Sequence, residues 1–314
     1  MSRFVLLAFL VASCVSQPVA SITTPSPAVC RLPVIQGSPG QGSGPQTAGI
    51  LTIPGGQFTA ATDAANGMSY DRVLKRWIQA PLSSLTPDGL RYVYADHNQQ
   101  LSTFHVVDLK TDRDTVIGST GSWVGAGLDN IALYAMKVDF QDSLAYGQVG
   151  ISRGLWKIPL DGTPPVQLTA DARRWVLAAA GGIYGDSSTG DVAGAPNDVV
   201  RFDLSTGNTI TWFAPHKRSR VIAVDGNGAA FVITEAADEE LWRVTEPGTA
   251  TEIWSGATDV IRPDGDVAVD GSEVWFNSSS LKREWAIYRF TASTGLKQMV
   301  SFIDRPYSVA GPCS

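Results

Sequence analysis

The chain has 314 residues, a formal net charge of −6, 44% hydrophobic residues and only 17% charged ones. That balance excludes a disordered polymer, which combines low hydrophobicity with high charge, and the acidic surplus excludes the basic surface that nucleic acid requires. Nine tryptophans and 31 glycines favour many short strands joined by tight turns over helices.

In chain order, residues 1–13 read as a signal peptide. Arg3 precedes an apolar run at 4–11 that has the length of a signal h-region and falls short of the roughly 20 residues that span a bilayer. "VASC" at 11–14 resembles the bacterial lipobox, whose cysteine is lipidated and becomes the mature N-terminus. This implies a lipoprotein anchored at Cys14 to the bacterial cell membrane and facing outward. The alternative is a secreted protein cut after Ser16 or Ala20. Residues 14–49 then read as the lipidated cysteine followed by a tether and arm rich in Pro, Gly and Ser, and 50–314 as the folded domain. With Cys14 lipidated, Cys30 and Cys313 remain. An even pair in an oxidising compartment predicts a disulfide that joins the two ends of the fold.

From residue 80 onward the sequence repeats. "FHVVDL" at 104, "LWKIPL" at 155, "VVRFDL" at 199, "LWRVTE" at 241 and "IYRFTA" at 287 place a basic residue at His105, Lys157, Arg201, Arg243 and Arg289. A turn cue and a second apolar segment follow each phrase, which predicts a hairpin. A Gly-containing turn and an aromatic strand precede it, as in "PDGLRYVYA" and "DGSEVWFNS". Three or four strands in a unit of about 45 residues is the content of a propeller blade. Five units fill roughly 80–301. The leftovers "SYDRVLKRWI" and "RPYSVAG" are expected to supply the outer and inner strands of a sixth blade shared by both termini. The predicted fold is therefore all-β, a six-bladed propeller closed by both ends, with seven blades as the alternative.

"SSLTPDGLRYVYAD" and "LWKIPLDGTPPVQLT" resemble TolB-like propeller repeats, while "SRVIAVDGNGAAFVI" and "VIRPDGDVAVDGSEVWFNS" are similar to NHL-like, virginiamycin-lyase-like and gluconolactonase-like propellers. The resemblance implies architecture more than activity.

Residues just before each inner strand are expected to ring one mouth of the central channel. They are Trp123, Arg173, Arg174, His216, Lys217, Arg218, Asp259, Arg262, Asp304 and Arg305. Such a ring of cations could focus an anionic ligand. His97 is expected in a polar turn. Turn aspartates such as Asp225 and Asp270 are expected to bond their own backbone, so no metal site and no cofactor are predicted. No catalytic residue is assigned, because His216 has no evident carboxylate to orient it. The expected function is a monomeric envelope lipoprotein, membrane-attached through its lipid. It would bind a protein, a glycan or a small anion, and no nucleic acid. The alternative is a propeller enzyme, a lyase or lactonase-like hydrolase, working at the channel mouth.

Overall fold

The structure, a computed structural model, describes residues 29–37, 46–64, 67–98, 101–143, 147–186, 197–215, 217–235, 238–257, 262–279, 284–303 and 305–313. The signal segment, Cys14 and the tether as far as residue 28 lie outside these. Among the described residues no helix is long and apolar enough to cross a membrane.

The strands begin earlier than the sequence suggests. β1 (Cys30–Gln36), β2 (Thr47–Ile53) and β3 (Gln57–Ala60) form one sheet. Residues 30–36 and 47–49, expected in the arm, are therefore part of the fold. Next come a short ribbon, β4 (Ser69–Asp71) with β5 (Arg76–Ile78), and a three-stranded sheet of β6 (Arg91–Asn98), β7 (Leu101–Asp108) and β8 (Arg113–Gly121). Three four-stranded sheets follow. They comprise β9 (Trp123–Leu128) to β12 (Val166–Thr169), β13 (Arg174–Ala179) to β16 (Thr209–Phe213), and β17 (Arg218–Val224) to β20 (Thr249–Ala257). A fourth runs from β21 (Arg262–Asp270) through β22 (Glu273–Ser279) and β23 (Glu284–Thr291) to β24 (Gly295–Ile303). The last strand, β25 (Tyr307–Val309), returns to pair with β1 in the first sheet, Val34 opposite Val309 and Gln36 opposite Tyr307.

The closure by both termini is thus as expected, with "RPYSVAG" supplying the inner strand, but "SYDRVLKRWI" does not supply the outer ones. β2 and β3 already hold those places, and residues 69–78 form a wedge instead. The Tyr70 N–H donates to the Ala310 carbonyl and the Arg76 guanidinium to the Leu109 carbonyl, so the ribbon bridges the closing sheet and the β6–β8 sheet. Cys30 and Cys313 are disulfide-bonded, with Cα atoms 5.7 Å apart.

Apolar side chains fill the spaces between consecutive sheets. Val93, Phe104 and Ile117 meet Leu133 and Ile158. Tyr134 and Leu155 meet Trp175 and Phe202. Leu32 and Leu51 meet Trp275 and Ile287. Burial on both faces of each sheet explains the continuous apolar run "AAFVI" at 229–233, all of it buried, and the burial of all five residues of β14 (Gly182–Asp186).

Candidate functional site

The innermost strands surround a cavity of about 730 Å³. Val124 to Leu128 of β9, Val176 to Ala179 of β13, Ile222 to Val224 of β17 and Val267 and Val269 of β21 line it. The lining is small and apolar, and Val124 and Val269 remain 44% and 36% exposed. Each square ångström of apolar surface left wet forgoes about 25 cal/mol of burial energy, so these valines favour a ligand that covers them. One wall differs. Among the described residues the β6–β8 sheet has no full inner strand, only a single turn of 3₁₀-helix, Leu82–Ser84, and a one-residue bridge from Leu85 to Tyr92. Prolines at 81 and 87 flank this segment and withhold the backbone donors that a strand would need. Val93, Tyr94, Ala95 and His97 of β6 consequently face the cavity, beside Trp123.

Trp123, Arg174, Arg218 and Arg262 are the first residues of β9, β13, β17 and β21. Three of the predicted cations, however, are committed to carboxylates. Arg173 pairs with Asp171 at 2.7 Å, and Arg174 with Asp186 at 2.8 Å, where the Asp186 carboxylate is only 3% exposed. Lys217 donates to Glu240, which also accepts from Thr234 Oγ1 and Trp242 Nε1, each at 2.9 Å. Burial pushes the Glu240 carboxyl up, but the three donors outweigh it and hold the group below its ordinary range. Arg218 is exposed and also engaged. Arg305 lines a separate cleft with Gln36, Gly56 and Phe58. His216, Asp259 and Asp304 lie outside the described residues, as does the Arg262 side chain. Trp123 does line the channel. Its Nε1 donates to the Ser119 carbonyl at 3.0 Å, its ring meets Trp156 edge-on, and Lys137 Nζ sits 5.9 Å from the ring centre.

In solved structures the same arrangement of sheets recurs in TolB from Acinetobacter baumannii, with a TM-score of 0.52 and 14% identity over 90% of this chain and 67% of that one. The fold is a TolB-like β-propeller. An acylaminoacyl peptidase from Pyrococcus horikoshii matches with a TM-score of 0.51 and 13% identity over 86% of this chain. The chain spans about half the length of that peptidase, 46%. No protein-family model matches the sequence, and no curated protein matches it.

Within the propeller the repeating basic residue is structural. Arg201 pairs with Asp203 at 2.7 Å and packs over Trp212, and Arg289 pairs with Glu273 at 2.5 Å and packs over Trp275. Arg243 reaches the buried Asp225 at 3.2 Å. Asp225 also accepts from the N–H groups of Asn227 and Ala229, the backbone bonding expected of a turn aspartate. Asp270 instead takes a bidentate contact from Arg72 of the β4–β5 ribbon. Two channel residues escaped the sequence reading. His97 belongs to β6, not to a turn, and its Nδ1 lies 3.0 Å from Ser102 Oγ. Tyr94 stacks on His105 and donates to Asp114 at 2.6 Å. That bond pushes the phenol up to about 12, so it stays neutral at every ordinary pH. In the sequence Tyr94 reads as part of an aromatic strand and His97 as part of a turn. Their access to the channel follows from the interrupted segment at 82–85, whose signature, Pro81 and Pro87, lies outside β6 itself.

Proposed function

We propose that this propeller is an exported, lipid-tethered binding module whose central channel takes a segment of a partner protein. The observation that carries the reading is the cavity of about 730 Å³ lined by small apolar side chains of the inner strands. Because Arg173, Arg174 and Lys217 are each neutralised by a carboxylate, a protein segment suits the channel better than a small anion.

Gly125 provides the test. It lines the channel, and a Cβ built on it meets nothing within 4 Å. Gly125→Arg should therefore plug the channel without disturbing the fold. Displayed random heptapeptides enriched on the wild-type protein should bind the variant at least tenfold more weakly, at an unchanged melting temperature. Equal binding to both proteins would place the binding surface elsewhere.

The tether is tested separately. Cys14→Ala should move the protein from the membrane fraction to the soluble one. Retention in the membrane fraction would refute the anchor.

A further inference from the structure

Among the described residues, the incomplete sheet beside the channel leaves its inner edge unpaired beyond Tyr92. In an antiparallel ladder successive residues direct their N–H and C=O groups alternately to one neighbour and to the other. The Leu90 carbonyl accepts from the Leu109 N–H, on the β7 side, whereas the Arg91 carbonyl accepts from the Thr86 N–H, on the channel side. The odd-numbered residues of β6 therefore direct their backbone N–H and C=O groups to the channel side. Beyond the Leu85–Tyr92 bridge, no described residue pairs with the backbone of Ala95 or His97 on that side. Their opposite neighbours are Phe104 and Ser102 of β7. Each four-stranded sheet from β9 onward fills the equivalent place with an inner strand of six to nine residues, namely β9, β13, β17 or β21.

We propose that an extended segment of a partner protein docks here as the missing inner strand, antiparallel to β6 along residues 93–98. The proposal rests on the channel-binding reading and adds the mode of recognition. An apolar small molecule could fill the cavity, but it would leave the Ala95 and His97 backbone groups without partners, and a buried unpaired backbone group is costly. A second strand supplies donors and acceptors at the required two-residue interval of about 7 Å. The walls of the slot set the partner's side-chain chemistry. Val93, Phe104, Trp123 and Val124 bound it, so the segment is uncharged, with apolar side chains at alternate positions.

The test uses Cys14→Ala protein and a heptapeptide selected on it as above, resynthesised with N-methyl groups at either its odd or its even positions. One of the two series should lose binding at least 100-fold and the other less than threefold, because only alternate peptide N–H groups face β6. The peptide should also slow hydrogen exchange of the Ala95 amide and leave those of Tyr94 and Asp96, already bonded to β7, unchanged. Ala95→Pro removes one donor on the slot side and spares the β7 ladder, so it should weaken the peptide at least tenfold. If both methylated series bind like the parent while Gly125→Arg still blocks binding, strand addition is wrong and the channel reading survives. If Gly125→Arg binds equally, or no heptapeptide is enriched, both fail. If the Ala95 amide is protected without peptide and becomes exposed on deletion of residues 15–28, the occupant is the chain's own tether and the partner proposal is overturned.

Discussion

Reducing the Cys30–Cys313 bridge should destabilise the propeller by about 5 kcal/mol in the chain-entropy model and lower its melting temperature by about 10 °C. The bridge joins residues 283 apart in sequence, so it removes most of the loop-closure freedom of the unfolded chain. The native closure that it supports is short. β25 meets β1 over three residue pairs, Val34–Val309, Ile35–Ser308 and Gln36–Tyr307. Adjoining bonds from the Ala310 N–H to the Pro33 carbonyl and from the Gly37 N–H to the Pro306 carbonyl extend it by one on each side. Without the covalent link, opening the ring breaks this pairing, the Tyr70–Ala310 and Gln36–Tyr307 hydrogen bonds and the packing of Tyr307 and Val309 in one cluster with Leu32, Leu51 and Trp275. Thermal unfolding with and without reductant measures the difference, and Cys30→Ser should reproduce it. A melting curve that does not move after both thiols have become titratable would show that the short β1–β25 pairing suffices.

Gly127→Ala should cost about 3 kcal/mol or more, at the upper end of overpacking penalties. Gly127 lies on β9 with φ at 158°, and a Cβ there would stand 2.2 Å from the Ala178 nitrogen of β13. The atom in the way is backbone, held by the ladder between β13 and β14, and it cannot turn aside as a side chain would. The methyl group must therefore push apart two adjacent sheets at the narrowest part of the ring, where Ala126 and Trp175 share one core cluster. Gly125 is two residues earlier on the same strand and open to the channel. Gly125→Ala should change stability by less than about 0.5 kcal/mol, as substitutions free of clashes do. Urea denaturation of the two variants side by side decides the matter. Equal losses would mean that the inner strands are free to separate.

The five repeated phrases were legible because each blade meets the same physical demands. Two buried faces call for apolar strands, and tight turns call for Gly and Asp. A basic residue on the third strand spans from a turn carboxylate to an aromatic ring, as Arg201 and Arg289 do. The same regularity placed Trp123, Arg174, Arg218 and Arg262 at the starts of inner strands. β1 and β2 were obscured because a Gly- and Ser-rich stretch separates them and Pro33 interrupts the first. The pattern therefore read as an arm, although Pro33 serves the sheet through its carbonyl.

By itself the sequence determined the all-β repeat, the closure by the C-terminal strand and the cysteine pair, since each depends on local periodicity or on residue counting. Only the tertiary structure decided which strands complete the closing sheet and where residues 69–78 insert. It also neutralised three of the predicted cations, Arg173, Arg174 and Lys217. Asp171 is two residues from Arg173, but Asp186 and Glu240 reach Arg174 and Lys217 across turns and sheets. The half-empty inner place beside β6 was decided there too. A missing neighbour leaves no trace in the strand that lacks it, because hydrogen-bond partners and ion pairs are set by which backbones the folded chain brings within 3 Å, at separations that no local pattern encodes.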